Sequence, residues 1–167
     1  MIPIVSFVGK SKSGKTTLLE KVVRELKSKG YRVAAIKHSH HDFDIDQPGK
    51  DTWRLAQAGS DIIAISSPNK MALIERLDAD VTLSQIAALF RGKADIVLAE
   101  GYKNGNTAKI VVLGAEQDQD NLCSEGEILT TISAHLSSVG QPQFDADDVA
   151  RIVNLVIEQI DDNSPQS

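Results

Sequence analysis

The chain has a single cysteine, Cys123, few aromatic side chains (4 %), and no apolar run near the length of a membrane span. Each scarcity excludes something. One thiol cannot build a disulfide framework, and no Cys-x-x-Cys pair offers a metal or redox site. About 18 apolar residues in succession would be needed to cross a bilayer, and none occur. Positive charge is also short: the formal net charge is −5, which argues against a polyanion such as nucleic acid as the main partner. The amino terminus carries no charged segment followed by an apolar one, so we expect a cytoplasmic protein. At 167 residues the chain suffices for about one domain with a real core.

Against this plain background stands Gly9-Lys10-Ser11-Lys12-Ser13-Gly14-Lys15-Thr16, which satisfies the pattern G-x-x-x-x-G-K-[ST] at every fixed position. By chance such a match should arise in about one chain of this length in a few hundred. The spacing has a mechanism. Loop N–H groups curl around phosphates, Lys15 reaches the β and γ oxygens, and the Thr16 hydroxyl serves Mg²⁺. An apolar run, Ile2 to Val8, precedes the loop. Leu18, Leu19, Val22, Val23 and Leu26 follow it at helical spacing, and Gly30 stops the helix. Strand, glycine loop and helix start together aim a helix dipole at bound phosphate. The expected ligand is a nucleoside triphosphate with Mg²⁺, held by Lys12, Ser13, Gly14, Lys15, Thr16 and Thr17.

Strand-like and helical patterns alternate along the rest of the chain, which predicts a single-domain, doubly wound α/β fold with a mainly parallel sheet over residues 1–160. Strands are expected at 32–37, 62–65, 71–74, 96–99, 109–113 and 128–133. Helices are expected from Asp51 toward Gly59, around Leu83 to Phe90, and from Val149 to Ile160. Residues 115–127 read as a polar surface loop, and 161–167 as a flexible tail.

In such sheets ligands sit at the carboxyl ends of the strands. The strand 96–99 ends in Glu100-Gly101-Tyr102-Lys103, so Glu100 is the candidate to hold Mg²⁺ or orient water, as a Walker B acid does. Asp95 begins that strand. Five steps of ~3.3 Å put it roughly 16 Å away, too far to share a metal. The second strand runs into Lys37-His38-Ser39-His40-His41-Asp42-Phe43-Asp44-Ile45-Asp46. His38, His40, His41 and Lys50 are candidate ligand contacts, and Asp44 and Asp46 candidate Mg²⁺ ligands. A histidine-led transition-metal site and a plain solvated loop are the other readings of this stretch. Asn69-Lys70-Met71-Ala72 begins like a guanine reader but has alanine where the carboxylate should accept the guanine N–H groups. Trp53 and Tyr102 are either stacking platforms for a ring or ordinary packing residues.

The phosphate loop, the stretch from Lys37 through Gly49-Lys50-Asp51-Thr52, and Glu100-Gly101-Tyr102-Lys103, in this order, resemble the family of molybdopterin-guanine dinucleotide biosynthesis protein B. The likeness runs from about Ile2 to Leu113 and more weakly to the last helix. It implies a homodimer that binds GTP with Mg²⁺ and hydrolyses it weakly. It also implies an adapter for the guanylyltransferase that joins GMP to molybdopterin, with molybdopterin itself a candidate ligand. Lys15 and Glu100 would then be the catalytic pair. The chain departs from the family's pattern at Ala108, where many members have proline before the Lys-Ile pair. Two other readings compete. In one, a small-molecule kinase uses Asp42, Asp44 or Asp46 as the base for its acceptor. In the other, a face-to-face dimeric ATPase sends Lys10 across to its partner's nucleotide.

Overall fold

Five of the short apolar runs become one parallel sheet in a computed structural model that describes residues 2–39, 41–114, 126–133, 135–136 and 142–162. The elements in chain order are β1 (Ile4–Val8), α1 (Lys15–Ser28), β2 (Val33–Lys37), α2 (Asp51–Gln57), β3 (Ile62–Ser67), β4 (Lys70–Glu75), α3 (Leu83–Ala88), β5 (Ile96–Glu100), β6 (Ala108–Leu113), β7 (Ile128–Ser133), β8 (His135–Leu136), β9 (Pro142–Gln143) and α4 (Ala146–Asp162). The sheet has the order β2-β5-β1-β6-β7, every neighbouring pair parallel. A mainly parallel α/β sheet was expected, and this is one.

A parallel sheet is covered on both faces, so its central strands are apolar throughout rather than alternating. Ile96, Val97, Leu98 and Ala99 are all fully buried. On one face Val5, Phe7, Leu98, Ile110 and Val112 pack with Leu18, Val22 and Leu26 of α1 and with Ile152, Val153 and Val156 of α4. On the other, Ile36, Val97 and Ala99 meet Leu83 and Ala87 of α3, with Tyr102 against them. The helical spacing read from the sequence at Leu18–Leu26 and Val149–Ile160 is the spacing of these contacts.

The strands at 62–67 and 70–75 are not part of this sheet. They pair with each other as an antiparallel hairpin, in register Ile63↔Ile74 and Ile65↔Ala72. The two residues between them, Pro68 and Asn69, explain this: a parallel crossover needs a dozen or more. Asn69 thus turns the hairpin, and Lys70-Met71-Ala72 opens β4. The chain accordingly falls into two compact units, one from residues up to His38 and from Leu83 onward, the other from Ser39 to Thr82. The second contains α2 and the hairpin, and α2 packs on β3. The expected polar loop at 115–127 lies outside the described residues up to position 125, as do Cys123 and tail residues 163–167; α4 itself runs on to Asp162.

At the amino edge of the first unit's sheet, Asp95 is taken up by Arg32. Its carboxylate accepts from Arg32 Nη2 at 2.6 Å and from the Arg32 backbone N–H at 2.7 Å, and Arg32 Nη1 donates to the Gly92 carbonyl at 2.7 Å. These bonds, the side-chain one first, hold the Asp95 carboxyl below the usual carboxylate range. A depressed carboxyl stabilises the fold above its unfolded value, near 4, and that contribution fades as pH falls through the lower folded value. Asp95→Ala should therefore lower the urea midpoint at pH 7 and show a smaller deficit at pH 3, with triphosphate binding unchanged.

Candidate functional site

β1 ends at Val8, and after six intervening residues α1 begins at Lys15. Between them the backbone turns tightly. Lys12 (φ 62°) and Gly14 (φ 92°) are both left-handed, and Ser13 N–H donates to the Lys10 carbonyl at 3.3 Å. Alternation of this kind gathers successive N–H groups into an anion-binding concavity. Glycine is needed at position 9 for a different reason. A Cβ there would lie 2.2 Å from the Val112 carbonyl oxygen, so only a bare backbone lets the loop sit on β6.

The polar groups of the loop suit a phosphate. Ser13 is 2 % exposed and its Oγ has no hydrogen-bond partner, a cost that a phosphate oxygen at the loop would remove. Lys15 Nζ folds back onto the loop, donating to the Gly9 and Lys10 carbonyls at 3.1 and 2.6 Å. Burial pulls its pKa below the ordinary lysine value. Glu100 acts against that shift, and Lys103 and Lys37 add to it. An ammonium that donates to two neutral carbonyls and has two other lysines acting on it is suited to receive an anion.

Glu100 is the last residue of β5, in register with Phe7 on β1 and Lys37 on β2. That register brings it to the phosphate loop: Thr16 Oγ1 donates to Glu100 Oε2 at 2.8 Å, and Lys37 Nζ lies 3.9 Å from Oε1. A hydroxyl and a carboxylate side by side form the hard-oxygen pair that Mg²⁺ takes when phosphate and water complete its shell. Lys37 and Lys103 as charged neighbours escaped the sequence reading. The only signal for Lys37 was its place at the end of a strand that proves to adjoin β5.

Immediately after Glu100 the backbone reverses through two left-handed residues, Gly101 (φ 101°) and Tyr102 (φ 57°). A Cβ at Gly101 would press on His38 Cβ at 3.1 Å. His38 N–H donates to the Glu100 carbonyl at 3.0 Å, and its ring tilts at 38° over Tyr102, centroids 4.6 Å apart. Tyr102 is thus packed against its own chain, and burial raises its pKa. Near the departure from the family pattern at Ala108, Lys109 is fully buried and its ammonium donates to the Gly105 carbonyl, while Ser6 and Thr107 share a hydroxyl–hydroxyl bond of 2.8 Å.

His41, Asp44, Asp46 and Lys50 belong to the second unit; His40 lies outside the described residues. The Ser39 hydroxyl donates to the His41 carbonyl at 2.7 Å, and Asp46 Oδ1 accepts from Gln47 N–H at 2.9 Å. Among the described residues no three His, Cys, Asp or Glu side chains are grouped to hold a metal. Among them, too, no helix is long and apolar enough to cross a membrane.

Two substitutions probe the site. Lys15→Ala should weaken Mg²⁺–triphosphate binding at least tenfold, about 1.4 kcal/mol. Glu100→Gln keeps an acceptor for Thr16 but removes the charge, so it should lower affinity in Mg²⁺ roughly tenfold and leave affinity in EDTA unchanged. Calorimetric titration with and without chelator reads both.

Comparison with known proteins follows the same line. The family model described as "Molybdopterin guanine dinucleotide synthesis protein B" matches residues 4–134. A molybdopterin-guanine dinucleotide biosynthesis adapter protein of Escherichia coli K12 is 34 % identical over 166 residues, covering 95 % of this chain and 93 % of the relative. The protein of the same name from Haemophilus influenzae is 41 % identical over 112 residues, covering 66 % and 63 %. Among solved structures, a molybdopterin-guanine biosynthesis protein B matches with a TM-score of 0.71 at 29 % identity, covering 95 % of this chain and 99 % of that one. Bacillus subtilis MobB matches at 0.71 and 30 %, covering 94 % and 97 %. With a phosphate loop, a strand-end acid and these relatives in agreement, the chain belongs to the molybdopterin guanine dinucleotide synthesis protein B family.

Proposed function

We propose that this chain is a cytoplasmic GTP-binding adapter, with slow GTPase activity, that assists the guanylyltransferase of molybdenum-cofactor synthesis. The observation that carries the nucleotide half is the Thr16–Glu100 hydrogen bond beside a loop whose Ser13 hydroxyl is buried without a partner. The adapter half rests on the names of the E. coli and H. influenzae relatives. Lys12, Ser13, Gly14, Lys15, Thr16 and Thr17 would hold the phosphates, and Thr16 and Glu100 the Mg²⁺, which when bound neutralises charge building on the γ-phosphate. Glu100 would orient water, and Lys15 would stabilise the leaving phosphate. The charged groups acting on Lys15 include Glu100, Lys103 and Lys37.

GTP should bind at least tenfold more tightly than ATP in calorimetry, and the guanylyltransferase should co-purify from cytosol more strongly with a GTP analogue than without. Equal affinity for the two nucleotides would remove the guanine reading. Rapid turnover with one added metabolite would favour the small-molecule kinase instead.

A homodimer forms the last part of the proposal. On the hairpin, Leu73 pairs with Ala64 and Met71 with Ser66, so both share one face with Ile62; these three side chains are 57–70 % exposed. A two-stranded hairpin is marginal alone, and clustered exposed apolar side chains mark association surfaces. Leu73→Asp should convert a dimer to monomers in sedimentation equilibrium, with the circular dichroism spectrum retained.

A further inference from the structure

Lys37 ends β2, and the phosphate and metal roles proposed above give it no task. Its place is fixed by pairing. β2 runs parallel to β5 with Lys37 opposite Glu100, and the bond from His38 N–H to the Glu100 carbonyl at 3.0 Å closes that end of the ladder. Along β2, Ala34 and Ile36 pack on the face that α3 covers, while Val33 packs on the face that α1 and α4 cover. Alternation puts Lys37 on the same face as Val33. Glu100 shares that face, in register with Phe7 of the α1 side. The strand end therefore carries Lys37 toward the start of α1, where Lys15 and Thr16 lie.

One carboxylate serves two partners there. Glu100 Oε2 accepts from the Thr16 hydroxyl at 2.8 Å, and Lys37 Nζ stands 3.9 Å from Oε1. At that distance the second contact is an ion pair and not a hydrogen bond, and the Lys37 side chain is 70 % exposed. Exposed pairs of this kind contribute little to stability, so Lys37 can leave Glu100 at small cost. Meanwhile Lys37 repels Lys15, as Lys103 does. Like charges gathered at one point raise the free energy of the empty site, and an anion relieves it. Lys103 follows the left-handed pair Gly101 and Tyr102, whereas Lys37 is set by a strand ladder against the acid itself.

In a loop of this type the backbone N–H groups cradle the α- and β-phosphates, and the terminal phosphate extends past them. Thr16 and Glu100 mark the side toward which it extends. We propose that Lys37 reads the terminal phosphate of the bound nucleotide, its ammonium exchanging Glu100 Oε1 for a γ-phosphate oxygen, so that the site distinguishes a triphosphate from a diphosphate. A lysine suits this task, being a compact charge on a flexible stem that can move between two acceptors. The role rests on the nucleotide binding proposed above and adds the residue that tells a loaded site from a spent one.

Calorimetric titration of the full chain with a non-hydrolysable GTP analogue and with GDP, each in Mg²⁺ and in EDTA, tests the assignment. Lys37→Met should weaken the analogue about tenfold, in EDTA as well as in Mg²⁺, and leave GDP within about twofold. Lys37→Arg keeps the charge and should hold the analogue within about threefold of the unsubstituted chain. A lysine that merely steadied Glu100 would behave differently. Its loss would weaken both nucleotides alike, would vanish in EDTA, and would add nothing to Glu100→Gln in the double variant. Any of those three results would overturn the assignment, as would an unchanged affinity for the analogue in Lys37→Met or a loss in Lys37→Arg as large as in Lys37→Met. The position is exposed, and an unchanged circular dichroism spectrum checks that each variant is folded. An unsubstituted chain that binds neither nucleotide would undo the proposed function and this role with it. Binding of the analogue that Lys37→Met leaves intact would undo this role alone.

Discussion

Nearly everything the first unit can do depends on how β5 lies against β1. Parallel pairing in the register Phe7↔Glu100 ends the two strands at one level, and α1 starts a short loop later. Shift that register by one residue and Glu100 would move to the opposite face of the sheet. In the observed register its carboxylate meets Thr16 at 2.8 Å and has Lys37 of β2 on its other side. Backbone bonds such as Val97 N–H to the Pro3 carbonyl and Gly101 N–H to the Phe7 carbonyl fix that register, and the wholly buried run from Ile96 to Ala99 packs against α1 and α4 on one face and α3 on the other.

Charge around this point is arranged in sequence along the sheet edge. Lys37 and Lys103 both act on Lys15, and Glu100 opposes them. Such an arrangement tolerates an incoming polyphosphate well, since the anion replaces repulsion between cations with attraction to each. The opposite edge of the sheet carries Arg32 and Asp95, which answer each other fully. The two ends of β5 thus divide the labour: a closed pair where the strand begins, an open cluster where it ends.

Much of this was legible in the residues. The phosphate loop announces itself by spacing, and Glu100 could be separated from Asp95 by counting along a strand. The helices were visible because Leu18, Val22 and Leu26, or Ile152, Val153 and Val156, recur at a helical period. What could not be read was pairing between distant segments. Ile62–Ile65 and Met71–Ile74 look like any buried strands, and only the brevity of Pro68-Asn69 betrays an antiparallel hairpin. Lys37 needed the β2–β5 register to be seen beside Glu100, and the burial of Ser13 needed the close seating of Gly9 on β6. Local patterns determine which elements form; long-range packing determines which of them meet.

The bond from His38 N–H to the Glu100 carbonyl gives one residue two independent occupations. The side chain of Glu100 faces Thr16, while its main chain fastens the last residue before the second unit begins. Because the fastening uses a carbonyl, it survives any side chain placed at position 100. A substitution of the carboxylate at position 100 therefore leaves the tether in place, and a proline at position 38, which has no N–H to give, would cut the tether while leaving the carboxylate intact.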